Sequence, residues 1–394
     1  MSRPRRTRRN LGPLTAALIA VTPLTASGAG RAAATEVAAP AACRSWTSAQ
    51  PPSPGTLNNQ MVGVTTLSPC DVWIVGGYGN TGGSRSLSLA EHWNGVSWKV
   101  TRTPNPGSQV NFIEAVSAFS ASNVWAVGDF GNSSVDQTLI LHWNGKKWRR
   151  VPSPSPGTDG NNLAGVTAIS ATSAWAVGDY SSGGVLKTLV LRWNGKKWTK
   201  AASPSPGTGS TLSAVTATSA RDAWVVGDTF GAGTGATLVL HWNGRKWNRT
   251  ASPSPTGPEV LLTGVTATSA SNAWAVGYFS AGNGHEGTII LRWNGHAWKR
   301  ASSPNPASQA QLLAVTAASA SAAWAVGTYR SGSAVKSLIA HWNGRAWHRV
   351  ASPNADGGIF LTGVAATSPS NVWATGGFRP TSNAVLQVLA IHCC

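Results

Sequence analysis

Short runs of alternating small, β-branched and polar residues recur along this chain in a constant order. A segment such as "GVTATS" (Gly264–Ser269) is followed by a "VWxVG"-like segment, a variable loop and "TLVLHW"; then come Asn-Gly, a second Trp and "SPSP". Two-residue alternation over this length predicts strands with one buried face. Asn-Gly between the third and fourth runs predicts a hairpin turn, because those residues accept positive φ. Proline cannot donate to a ladder, so "SPSP" predicts the end of the fourth strand. Each unit therefore reads as four short strands. Trp73, Trp125, Trp175, Trp224, Trp274, Trp324 and Trp373 mark seven copies, 49 to 52 residues apart. Seven such units predict an all-β, seven-bladed β-propeller of four-stranded blades. A linear β-solenoid is the competing architecture.

All 20 tryptophans fall in three columns: seven in "VWxVG", six in "HWNG", and seven just beyond it (Trp46, Trp98, Trp148, Trp198, Trp247, Trp298, Trp347). Cys393 stands where a twenty-first is due. His392 aligns with His142 and Trp46 with Trp148, so the last unit lacks its outer strand and the segment around Cys43–Trp46 supplies it. The ring is thus expected to close with the N-terminal strand completing the last blade. Cys394 and Cys43 then meet in a turn, where a disulfide would cross-link the closure. Cys70, in a turn on the same face, is placed to reach the remaining cysteine. Four cysteines, Cys43, Cys70, Cys393 and Cys394, allow three pairings, of which vicinal Cys393–Cys394 is geometrically the poorest. The absence of CxxC spacing and of nearby His pairs argues against a metal site.

Composition adds compartment. Charged residues make up only 11% of the 394, yet the formal net charge is +18. Arg3, Arg5, Arg6, Arg8 and Arg9 precede an apolar stretch from Leu11 to Leu24, and small residues offer cleavage after Ala29 or Ala34. This predicts an export signal and processing region over 1–34, a linker over 35–42 and the propeller over 43–394. Thr7-Arg8-Arg9-Asn10-Leu11 resembles a twin-arginine signal, with Gly12 departing from the pattern, so both export routes stay open. The apolar stretch is too short and too interrupted for a membrane span. A secreted, monomeric protein, extracellular or cell-wall associated, is expected, with no cofactor and no specific nucleic-acid partner.

The "VWAVG…HWNGxxW" unit resembles the repeats of secreted and surface propeller proteins of bacteria that carry a kelch-like or galactose-oxidase-like label. The resemblance spans about residues 43–394 and implies architecture more than activity. The kelch Gly doublet appears only at Gly76-Gly77 and Gly376-Gly377. The Gly-His and Trp-Asp signature of WD40 repeats, the sialidase-type Asp box and a copper-radical site are absent. Trp-rich seven-bladed lectins share the plan, an analogy of fold.

Four sets of residues are candidates for function. One aromatic per unit follows "VG": Tyr78, Phe130, Tyr180, Phe230, Phe279, Tyr329 and Phe378. Such rings can stack on sugars, and repeated weak sites give avidity; they can equally pad the contacts between blades. Asp129, Asp179 and Asp228 beside them could accept sugar hydroxyls or stabilise loops. Glu114 interrupts a column otherwise made of Val62, Ala164, Ser213, Thr263, Leu313 and Thr362. With Asp129 it could form an acid/base pair for a polysaccharide hydrolase or lyase at the channel mouth. Finally, 16 of the 25 Lys/Arg after residue 31 cluster in or after the Asn-Gly turn. They suit anionic polymers, or protection of an exposed strand edge. The column His92, His142, His241, His341 and His392, with Arg192 and Arg292 in the other units, reads as strand surface. The favoured function is non-catalytic, multivalent binding of an extracellular glycan or anionic cell-wall polymer. The hydrolase or lyase and a protein-interaction scaffold are the alternatives.

Overall fold

A computed structural model describes residues 46–81, 85–132, 135–231, 233–282 and 284–393. Every element in it is a strand, and the strands form seven four-stranded antiparallel sheets. Blades 1 to 6 run in sequence order: Asn59–Thr101, Val110–Arg150, Gly160–Ala201, Gly209–Thr250, Glu259–Ala301 and Ala310–Val350. Blade 7 takes three strands from Ile359–Cys393 and its outer strand from Thr47–Ser48. The inner strands of successive blades touch in a closed circle, the last against the first, so the architecture is a seven-bladed propeller and not a solenoid. The export signal, the linker, Cys43 and Cys394 lie outside the described residues.

The closure follows the register expected from the sequence. Thr47 pairs with His392 and Ser48 with Ile391, as Arg149 pairs with His142 in blade 2. Trp46 meets Trp324 edge to face at 5.8 Å, as Trp148 meets Trp73 at 5.2 Å. The assigned strand is only two residues long, but one backbone and one side-chain hydrogen bond extend it. Ala49 donates its N–H to the Ala390 carbonyl at 3.2 Å, and the Gln50 amide donates to the Val388 carbonyl at 2.7 Å.

"SPSP" does more than stop a strand. The outer strands are short, so the upper third strand has backbone groups with no ladder partner. The second serine of the motif fills that gap: Ser155, Ser205 and Ser254 accept the N–H of Thr138, Thr188 and Thr237 at 3.1–3.2 Å. Ser53 does the same for Val388 at 3.0 Å, which carries the ring closure through residue 53. Buried backbone groups left unpaired are costly, which gives the motif its reason. The Asn-Gly turns differ from a two-residue hairpin. They are four-residue loops between paired tryptophans such as Trp143 and Trp148; Gly145 takes φ of 87°, while the Asn144 side chain accepts the N–H groups of Lys146 and Lys147.

The tryptophans form cages between blades. Each second-strand Trp is fully buried and faces the following blade, as Trp73 does against Trp143 (4.9 Å) and Trp148 (5.2 Å). Six interfaces hold three indoles. The interface between blades 6 and 7 holds Trp324 and Trp46, with the fully buried Cys393 in the third place. Among the described residues, Cys70 is a free, exposed cysteine, contrary to its expected pairing. It lies against Gly95, in the third-to-fourth turn of its own blade. Cys393 is not a free thiol.

Candidate functional site

The second strand sets the aromatic column. Tyr78, Phe130, Tyr180, Phe279, Tyr329 and Phe378 occupy equivalent register positions, each opposite the first or second residue of the inner strand. Phe230 does not: Thr229 holds that position in blade 4, and Phe230, one residue on, packs over Gly209. A single inserted residue moves a side chain to the opposite face of a strand. The six aligned rings are not open platforms. Phe130 and Tyr329 are buried, and the others pack partly into the cores between blades.

Their outer faces are capped by cations of the fourth strand. Arg150 lies 4.3 Å from the Phe130 centroid, Lys200 4.3 Å from Tyr180, Arg300 5.6 Å from Phe279 and Arg349 4.6 Å from Tyr329. Lys200 and Arg349 also donate to the tyrosine hydroxyls at 3.0 and 2.5 Å. Blades 1 and 7 place Val100 and Ser48 at the cation position, and blade 4 has Arg249 but no ring. Four blades thus share a cation held over an aromatic face, an arrangement worth about 0.5–1 kcal/mol each at exposed sites.

The carboxylates are mostly integrated into the sheets. Asp129 and Asp228 are buried, and Asp228 accepts a short hydrogen bond from the Thr211 hydroxyl across the strand pair. Asp179 is half-buried in the same column. Glu114 sits at a β-bulge. All seven inner strands shift register there, and the bulged residues are Val62, Glu114, Ala164, Ser213, Thr263, Leu313 and Thr362. It is therefore midway along the channel-lining strand, not at its start. Thr263 and Thr362, its counterparts, donate to carbonyls of the next blade at 2.9 and 2.7 Å. Asp129 pairs with Phe112, two residues before Glu114, so the strand pair brings the two acids near in register.

A second partly exposed aromatic column is formed by the third-strand tryptophans. Trp93, Trp143, Trp193 and Trp293 are half-buried, each beside its Asn-Gly turn. Trp242 and Trp342 are buried, because Arg192 and Arg292 of the preceding blades lie over them at 5.6 and 5.2 Å. Where the preceding blade carries histidine, the ring instead stacks on its own second-strand Trp, at 4.0–4.3 Å. His92 and His241 are paired with Asp71 and Asp222 at 2.8 and 2.6 Å. Burial lowers the pKa of His142 and His392 and pushes that of His341 down to about 4, with His348 adding repulsion. The substitution of Arg for His in two units was visible in the sequence; what it covers needed the structure.

Among the described residues no group of three His, Cys, Asp or Glu is placed to hold a metal, and no helix is long and apolar enough to cross a membrane. No family model and no curated protein matches this chain. Solved structures do. A YCF48 bound to a D1 peptide is similar with TM-score 0.53 and 14% identity, over 89% of this chain and 97% of that one. The GH74 xyloglucanase from Xanthomonas campestris is similar with TM-score 0.53 and 14% identity, over 87% of this chain and 55% of that one. A PL25 ulvan lyase bound to a sulfated saccharide has TM-score 0.51 and 8% identity, over 84% and 94%. Likeness at such identities extends to the propeller fold and leaves the kelch-like label without support of its own.

Proposed function

We propose that this is a secreted, non-catalytic protein that binds an anionic extracellular glycan or cell-wall polymer at many equivalent points of its circumference. The observation that carries the reading is a continuous cationic strip. The Asn-Gly turns and outer strands of blades 2 to 6 hold 14 Lys/Arg and no Asp or Glu. Half-exposed Trp143 and Trp193 stand beside the pairs Lys146-Lys147 and Lys196-Lys197. A flat indole next to ammonium groups suits a sugar ring bearing phosphate or carboxylate. Repetition around the ring then converts weak contacts into avidity. In this reading Phe130, Tyr180, Phe279 and Tyr329 do not stack on sugar; they hold Arg150, Lys200, Arg300 and Arg349 in place. Two of the similar structures are named for action on polysaccharide and one for a bound peptide, which supports the reading only at the level of the scaffold.

The test uses a poly(glycerol phosphate) polymer and a neutral β-glucan, each at low and high salt. Wild type is expected to bind the polyanion with strongly salt-dependent affinity. Lys146→Gln/Lys147→Gln/Lys196→Gln/Lys197→Gln is expected to weaken it at least tenfold with an unchanged melting profile. Salt-resistant binding to the neutral glucan alone, or no loss in the quadruple variant, would overturn the assignment.

A further inference from the structure

One side chain in the blade cores breaks the pattern of every other blade. Glu91 is fully buried on the third strand of blade 1, where the remaining blades carry Leu141, Leu191, Leu240, Leu291, Ala340 and Ile391. Those residues pack against the preceding blade; Leu141, for instance, clusters with Trp73, Val75 and Ala90. Leu89, two residues before Glu91 on the same strand, lies with Trp373, Val388 and Ala390 of blade 7. Glu91 therefore occupies the seam between the last blade and the first. Neither of its carboxyl oxygens has a hydrogen-bond partner. Opposite stands Thr375, where the other six blades have valine, and its hydroxyl is committed to the Leu389 carbonyl at 2.9 Å.

Among the described residues no cation faces the carboxyl. On blade 1, His92 is turned to Trp73 and Asp71, and Lys99 and Arg102 are exposed. On blade 7, His392 is stacked on Trp373 and bonded to Asn371. The segment Trp46–Pro52 carries no titratable group. Just outside the seam lies a groove of about 490 Å³, lined by Ala49, Gln50, Pro51, Pro52, Trp93, Val96, Ser97 and Trp98. Trp93 and Trp98 form one wall of that groove and also cage Trp373, at 5.7 and 5.6 Å.

We propose that Glu91 makes this seam a proton-controlled latch. With the carboxyl protonated, blades 7 and 1 close on an apolar interface. Loss of its proton to solvent leaves a carboxylate that only water can satisfy. Hydration parts Trp93 and Trp98 from Trp373 and loosens the Ala49–Pro52 segment, which leads directly into the two-residue closing strand. Burial moves the acid from 4.5 up to about 8. Across that window the folded protein keeps a proton that the unfolded chain releases, so stability falls as pH rises and levels off above it.

Melting curves from about pH 5 to about pH 9 on wild type, Glu91→Gln and Glu91→Leu provide the test. Wild type is expected to lose several degrees of melting temperature across the range, and both variants to lose much less. Hydrogen exchange at the high end, corrected for intrinsic rates, should show opening confined to residues 46–52 and 386–392 in wild type and absent in Glu91→Leu. Parallel melting profiles in the three proteins, or opening spread evenly over the blades, would overturn the proposal. Glu91→Gln keeps the shape and a polar amide, so a misfolded leucine variant would not protect the idea.

Discussion

Trp224→Ala is expected to lower unfolding free energy by about 3–5 kcal/mol, the range for removing a buried aromatic. Trp224 is 1% exposed and sits at the centre of its cage, 4.8 Å from Trp293, 5.2 Å from Trp298 and 4.2 Å from His241. Removing it leaves three rings, from two blades, facing a void that the stiff sheets cannot collapse. Urea denaturation followed by near-ultraviolet circular dichroism measures the effect. Trp324→Ala provides the internal comparison, because its cage has Trp46 and Cys393 where the others have two indoles. Its cost is expected toward the lower end. A change in Trp224→Ala below about 1 kcal/mol would mean that the cages are not what ties blade to blade.

The second large effect concerns the glycine of "VWAVG". In all seven blades this residue, Gly227 among them, faces the inner strand just before its bulge, and a Cβ there would overlap a backbone carbonyl oxygen. At Gly227 the oxygen belongs to Thr211. Backbone cannot swing aside as a side chain can, so Gly227→Ala is expected to destabilise by about 3 kcal/mol. Gly160→Ala is the control. A Cβ there meets nothing within 4 Å, and the change is expected to be neutral in the same denaturation series. Equal midpoints for the two variants would show that the bulge can relax away from its glycine.

The architecture was legible because its determinants are local and repeated. Strand alternation, Asn-Gly, and a tryptophan count one short of twenty-one together specified four-stranded blades and the place of closure. The candidate surface was less legible, for reasons that particular residues show. Phe230 looks like the fourth member of the aromatic column, yet blade 4 carries Thr229 at that register, and a slip of one residue reverses a side chain. Phe130 and Tyr180 are aromatic at a loop mouth, but Arg150 and Lys200, some twenty residues later, fold back over them. Sequence spacing does not reveal such a return. The exposure of Trp143 against the burial of Trp242 depends on the residue at position 92 or 192 of the preceding unit, a relation between blades. Glu91 was visible as "LAEHW" among "LILHW" and "LVLHW". Its burial against blade 7 is a relation between the two ends of the chain, which spacing within one unit does not reveal.

Because the outer strand of the last blade comes from the other end of the chain, the point at which this polypeptide begins is one choice among seven. The turn after Trp143 is built on the same register as the closure, Arg149 facing His142 there as Thr47 faces His392. A gene rearranged to start at Lys146 and finish at Gly145, with the old ends joined through a short linker, would encode the same ring with its gap carried two blades round. What it would not carry round is Glu91. In such a permuted chain the hydrogen-bonded gap and the acidic seam, neighbours in the natural protein, would be a blade apart, so that loosening one no longer reaches the other.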